Sequence, residues 1–278
     1  MKLSTKILPQ PLLDAVKHSR PAYTAARRAR FALGTRRGAR VVPGLRGRVH
    51  YNDFMLSSSE PAHVEGYRRG AQEFVGILEK GLRAAGRTFD SVQSALEVGC
   101  GYGRIVRELG DRLPTSRVYI SDVIDEAARF TAAEFGATQM PLVEAAGPEF
   151  RGRFDLVYLL SVYTHLRRDL VQANLRAVSD VLGAGGVAVF TIHGLGSAQT
   201  AERYGHYWLD KSAVLDGLAR EGYFYARYPY YYDEYGVTWF TEEGVRSLVA
   251  ETAPELEFLA YLPMALDEHQ DVFVYRRP

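Results

Sequence analysis

The stretch that most constrains this chain runs Ala95-Leu96-Glu97-Val98-Gly99-Cys100-Gly101-Tyr102-Gly103-Arg104. An apolar run carrying one acid empties into three glycines at alternate positions, and a helical pattern follows. Glycines at a strand-to-helix turn let the backbone approach a ligand closely and adopt angles that a Cβ forbids. The next apolar run, Arg117-Val118-Tyr119-Ile120-Ser121-Asp122, closes on a second acid. Asp122 stands 19 positions beyond Gly103, the spacing at which a carboxylate after the second strand accepts both hydroxyls of a ribose. Together these features describe a nucleoside-binding crevice.

The surrounding pattern is that of an α/β sheet. Strands are expected over 94–99, 117–122, 138–143, 154–160 and 185–192, with helices over 102–113, 124–135 and 166–182. Gly183-Ala184-Gly185-Gly186 should stop the last of these helices, as glycine does at a helix C-terminus. Ahead of the first strand, Val64, Tyr67, Ala71, Phe74, Val75, Ile77 and Leu78 recur at helical spacing. Two further strands are expected over 256–262 and 272–275.

On these residues the chain resembles the class I S-adenosylmethionine (SAM)-dependent methyltransferases. Glu97-x-Gly99-x-Gly101-x-Gly103 is similar to that family's glycine-rich first motif, and Asp122 matches its ribose-binding acid. A dinucleotide-binding Rossmann domain wants G-x-G-x-x-G, and Arg104 stands where its third glycine would fall. The resemblance implies a Rossmann-like, doubly wound, seven-stranded sheet with an antiparallel last strand, preceded by an N-terminal extension (1–55) and opened by a helix; the domain would cover 56–278. It also implies SAM as cofactor and contacts from Glu97, Gly99, Cys100, Gly101, Gly103, Asp122 and the adjoining Val123. Glu144 is the nearest match to the adenine-pocket acid, although the sequence around it departs from the family pattern. Ser161-Val162-Tyr163-Thr164-His165-Leu166 resembles an "SVFTHL" segment of a bacterial branch associated with polysaccharide assembly, where the backbone at the serine borders the cofactor. Plainer readings stand beside these: Glu97 as a helix cap acting through the macrodipole, and Ser161 as a helix N-cap.

Methyl transfer to a hydroxyl needs an aligned nucleophile and a group to take its proton, and histidine titrates in the right range. Three of the seven histidines fall where strand ends converge: His165 after the fourth strand, His193 after the fifth, and His269 at the start of an antiparallel last strand. Each is also readable as a hydrogen-bonding loop residue. Tyr204, Tyr207, Trp208, Tyr223, Tyr225, Tyr228, Tyr230, Tyr231, Tyr232, Tyr235 and Trp239 crowd the segment before the tail. Their flat faces and polar tips suit a sugar ring or an aromatic alcohol, and equally a core or a dimer contact. Asp233 and Glu234 read as a solvated turn or as alternative proton acceptors. No compact Asp/Asn cluster follows the fourth strand to hold a metal, and no Asn-Pro-Pro-Tyr segment of base methylation is present. The expected reaction is therefore O-methylation of a small molecule or glycan.

Charge leaves a second possibility open. Residues 1–50 hold twelve Lys/Arg against Asp14 alone, a balance of +11, so the remaining 228 residues carry −10 within a net charge of +1. Such an arm is a solvated extension, or a grip on nucleic acid or an acidic partner. An RNA or protein methyltransferase using that arm is the first alternative, and a non-catalytic SAM-binding partner subunit the second. One cysteine, Cys100, excludes an intramolecular disulfide or a cysteine-based metal site. No apolar run approaches the ~20 residues of a membrane span, and no secretory block opens the chain; a cytoplasmic protein is expected. Oligomeric state is not readable.

Overall fold

The computed structural model describes residues 41–53, 55–56, 60–200, 209–228 and 235–278, with isolated positions 19, 22, 25 and 29. Most of the basic arm, together with Tyr204, Tyr207, Trp208, Tyr230, Tyr231, Tyr232, Asp233 and Glu234, lies outside the described residues.

The first long helix, α1 (Pro61–Ala84), opens with proline at its first turn, where the missing N–H is no loss. Its buried positions include Val64, Tyr67, Ala71, Phe74, Val75, Leu78 and Leu82, the stripe that the sequence periodicity predicts. Then follow β1 (Ala95–Val98), α2 (Arg104–Leu109), β2 (Val118–Ser121), α3 (Asp125–Phe135), β3 (Thr138–Gln139), β4 (Phe154–Leu159), α4 (Arg168–Val181) and β5 (Leu182–Ile192). After β5 come α5 (Leu195–Gln199), α6 (Lys211–Glu221), β6 (Tyr223–Arg227), β7 (Gly236–Phe240), α7 (Glu242–Thr252), β8 (Glu257–Leu266) and β9 (Gln270–Arg276).

Seven strands form one sheet in the order β3-β2-β1-β4-β5-β9-β8. β1 to β5 pair in parallel, and β9 runs antiparallel to both β5 and β8. The expected doubly wound sheet with its reversed last strand is therefore what forms. Strand side chains alternate between two cores. Leu156, Tyr158, Val187 and Val189 meet α1 and α2 on one face, while Val157, Leu159, Ala188 and Phe190 meet α4 and α7 on the other.

Three local expectations need correction. β3 is only two residues long: Met140 N–H still donates to the Ile120 carbonyl, and the chain then leaves the sheet through Pro141 into the single turn 143–145. The glycine run 183–186 lies within β5, not in a turn: Gly185 donates to the Arg277 carbonyl and Arg277 donates back to Gly186. The Arg277 guanidinium also donates to the Ser179 and Leu182 carbonyls at 2.6 and 3.0 Å, capping the end of α4. Finally, β6 and β7 make a separate two-stranded sheet where the sequence shows only a tyrosine-rich patch.

Residues just before α1 are docked on the fold. Val42, Leu45, Val49 and Leu56 are buried together with Val64 and Tyr67. The Arg107 guanidinium donates to the carbonyls of Arg46 and Arg48, and Arg48 bonds the Glu134 carboxylate through its own N–H at 2.7 Å and through Nε at 2.6 Å. Among the described residues, no helix is long and apolar enough to cross a membrane.

Candidate functional site

The glycine loop between β1 and α2 is sewn to the end of β2. Gly99 N–H donates to the Ser121 carbonyl at 2.7 Å, and Gly101 N–H donates to Asp122 Oδ2 at 2.7 Å. The other carboxylate oxygen, Oδ1, accepts from Ile124 N–H at 2.8 Å. Gly99, Gly101 and Gly103 all have left-handed φ, at 78°, 50° and 82°. At Gly99 an added Cβ would lie 2.5 Å from Val162 Cγ2, whereas at Gly101 it would meet nothing within 4 Å. The first glycine therefore serves packing against the turn after β4, and the second opens the backbone toward empty space beside Asp122.

That space suits a nucleoside. A carboxylate offers about four lone-pair sites, and Asp122 spends two on backbone N–H groups, leaving two for a pair of hydroxyls. Burial raises its carboxyl against the lowering effect of those two bonds. Val123, next along, is 82% exposed and offers an apolar face beside the carboxylate. The Ser121 hydroxyl is buried with no hydrogen-bond partner among the described residues, an unsatisfied group at the same strand end.

Glu97 lies inside β1 and is buried, accepting from the Tyr158 hydroxyl at 3.1 Å. Burial pushes its carboxyl well above the usual range; the Tyr158 bond works against this and the Asp122 charge adds to it. It caps no helix, so the macrodipole reading falls away. Cys100 is buried, and burial followed by the charges of Glu97 and Asp122 raises its thiol far above a reactive range. It is a small residue in a tight loop. Glu144 is exposed in a single turn, 143–145, and accepts from Asn174 Nδ2 at 2.7 Å. Its described bond leads to α4 and not to Asp122.

Ser161 is not an N-cap, since α4 begins at Arg168. It holds a left-handed φ of 57°, a strained state for a residue with a Cβ. Three bonds keep it there. Its N–H donates to Thr191 Oγ1 at 2.8 Å, its carbonyl accepts from the Thr164 hydroxyl at 2.8 Å, and its Oγ meets the Gln270 side-chain amide at 2.8 Å. Ser161 thereby joins the ends of β4, β5 and β9.

The three histidines converge, as their strand positions predict. Ring centroids of His165 and His193 are 6.4 Å apart, and those of His193 and His269 are 4.8 Å apart. His165 Nδ1 bonds the Gly236 carbonyl at 2.8 Å, His193 Nδ1 the Thr238 carbonyl at 3.2 Å, and His269 Nδ1 lies 3.2 Å from Ser197 Oγ. Burial lowers all three, taking His165 down to about 4. Tyr235 stacks on His165 at 4.7 Å and Tyr228 stacks on Tyr235 at 5.4 Å. Tyr223, in contrast, is structural: its hydroxyl accepts from Arg168 N–H at 3.0 Å, and burial pushes it up to about 12.

Several site residues escape sequence reading. His50 stacks on Tyr102 of the glycine loop, with centroids 4.5 Å apart. Tyr51 and Asn52 donate to Glu126 at 3.1 Å each, so the segment before α1 packs on the glycine loop and on α3. The sparse apolar spacing of that segment gives no warning of this. Thr191 and Gln270 were signalled only by standing beside strand ends. Among the described residues, no group of three or more His, Cys, Asp or Glu has the arrangement of a metal site.

Residues 96–188 match the family model described as "Methyltransferase domain". No curated protein matches significantly. Among solved structures, a Pyrococcus horikoshii protein superposes with a TM-score of 0.54 at 15% identity, over 76% of this chain and 91% of its own. The magnesium protoporphyrin IX methyltransferase of Synechocystis, solved with bound SAH, gives 0.51 at 12% identity over 97% and 100%. A SAM-dependent methyltransferase of Clostridium acetobutylicum gives 0.50 at 13% identity over 76% and 91%. At these identities the likeness is one of fold.

Proposed function

We propose that this chain, which carries a methyltransferase domain of the class I SAM-dependent family, methylates a hydroxyl of a small molecule or glycan, with His165 taking the hydroxyl proton. Bound SAM supplies an electrophilic methyl carbon on its sulfonium. Asp122, with two lone-pair sites left over from its backbone bonds, would hold the ribose, and exposed Val123 and the open backbone at Gly101 would adjoin the rest of the nucleoside. Ser161, strained between three strand ends, places its backbone at the border between this crevice and the histidines.

The observation that carries the reading is the convergence of His165, His193 and His269 on the sheet edge that also carries Asp122. Burial keeps His165 neutral and able to accept a proton at Nε2, because Nδ1 is spent on a carbonyl. Tyr235 and Tyr228 pack beside it, with ring centroids 4.7 and 5.9 Å from its own, and aromatic rings of this kind suit a ring acceptor. His193 packs beside His165 at 6.4 Å between ring centroids, and His269 beside His193 at 4.8 Å. The resemblance of residues 161–166 to a branch linked to polysaccharide assembly favours a glycan among ring acceptors. The test is transfer of labelled methyl from SAM to a panel of glycans, phenols and amines. Labelling of a hydroxyl, lost at least about 100-fold in His165→Ala, supports the reading. Labelling of an amine or of RNA, with His165→Ala unaffected, sinks it.

A further inference from the structure

β7 lies outside the main sheet yet grips both loops that carry the inner histidines. Gly236 N–H donates to the His165 carbonyl at 3.0 Å, Thr238 N–H to the Thr164 carbonyl at 2.8 Å, and Phe240 N–H to the His193 carbonyl at 3.0 Å. On its other edge β7 pairs with β6. Alternate residues of a strand aim their polar backbone groups at the same edge, so Gly236 and Thr238 present their carbonyls to the histidine side as well. Those are the two oxygens that meet His165 Nδ1 at 2.8 Å and His193 Nδ1 at 3.2 Å.

A carbonyl oxygen only accepts, so each Nδ1 must carry a proton. A neutral imidazole has one N–H, and Nε2 is then the bare nitrogen. The Tyr228 hydroxyl also approaches His165 Nδ1, but at 3.4 Å it is the weaker claim on that atom. We infer that β7 is a positioning element that sets one tautomer in both histidines: the Gly236 and Thr238 carbonyls hold Nδ1–H and turn each Nε2 into a proton acceptor. The opposite tautomer would present an N–H at Nε2, which cannot take a proton from an acceptor hydroxyl. Thr238 adds a lateral anchor, since its hydroxyl donates to the Leu166 carbonyl at 2.7 Å. The chemical use of the His165 Nε2 rests on the proposed O-methylation; the tautomer itself does not.

The test is a long-range 1H–15N correlation spectrum of the full chain labelled with 15N-histidine, assigned with His165→Asn and His193→Gln. Both rings are expected to show a protonated Nδ1 and a bare Nε2, with cross-peaks from each Nδ1–H to backbone protons of residues 236–239. An Nε2–H pattern in either ring, or Nδ1–H protons without contacts to β7, overturns the inference. If neither assignment variant folds, contacts of the ring carbon protons assign the two rings in the wild-type chain without reference to β7: His165 to the Tyr235 ring and His193 to the His269 ring. The spectra need neither cofactor nor acceptor, so the two claims fail separately. Bare Nε2 atoms without methyl transfer would leave β7's role standing and sink the reaction; transfer from a chain with Nε2–H rings would sink β7's role, and the proton-accepting role of His165 with it, and leave only the methyl transfer standing.

Discussion

Removing Tyr235 should move the acid limb of the reaction. Its ring stacks on His165 at 4.7 Å and shields an imidazole that burial holds at about 4. Desolvation disfavours the charged form of histidine, so the neutral, proton-accepting form persists to lower pH than in an exposed ring. At pH 5.5 a group titrating near 4 is about 97% neutral, whereas one at the ordinary 6.5 is about 9% neutral. In Tyr235→Ala, water reaches the ring and its pKa rises toward the ordinary value. Activity at pH 5.5 relative to pH 8 should then fall about tenfold below the wild-type ratio. The assay is kcat/KM for methyl transfer from pH 5 to pH 8.5, run beside an NMR titration of the His165 ring. A wild-type acid limb near 6.5, or an unchanged profile in a folded Tyr235→Ala, would refute the argument.

Other perturbations separate binding from folding. Asp122→Ala removes a carboxylate poised for two hydroxyls and should weaken SAM about 100-fold, at roughly 1.5 kcal/mol for each charge-assisted bond, as read by calorimetry. Gly99→Ala drives a Cβ to 2.5 Å from Val162 at a left-handed φ, which costs about 1–2 kcal/mol on its own, and should lower Tm. Gly101→Ala meets open space, so its Tm should fall less while its affinity for SAM falls more. Tyr67→Phe deprives the buried Asp53 carboxylate of a 2.7 Å bond; losing about 1–3 kcal/mol should lower Tm by about 2–4 °C per kcal/mol. Burial already raises the Asp53 carboxyl and the Tyr67 bond opposes that, so the variant's carboxyl should titrate higher still. Its stability deficit should then be smaller in acid than at neutral pH.

What was legible in the sequence is what depends on neighbours along the chain. The strands are short apolar runs, the helices are stripes, and the glycine loop is a local backbone requirement, so β1, β2, β4, α1 and α3 stand close to where pattern places them. The histidines were visible because strand polarity alone sends residues 165, 193 and 269 to one edge. Long-range partners were hidden. Nothing near Glu97 announces Tyr158, and nothing near His165 announces Gly236, 71 residues later. Asp233-Glu234 reads as a turn, but β6 and β7 on either side of it escaped because the tyrosines around them suit an acceptor pocket, a core or a dimer contact as well as a strand. The segment before α1 escaped because its apolar residues, Val42, Leu45, Val49 and Leu56, are sparse and pack on Val64 and Tyr67, while Arg107, Glu126 and Glu134, which hold it by hydrogen bonds, are side chains that an isolated reading assigns to solvent. Ser161 looked like a cap by residue type, and only three tertiary bonds reveal its strained backbone.

The most direct test of the account is calorimetric titration of the full chain with SAM, SAH and NAD in parallel. Saturable binding of SAM and SAH is expected, with no heat from NAD. Binding of NAD without SAM would contradict the assignment of the glycine loop and Asp122 to a SAM site.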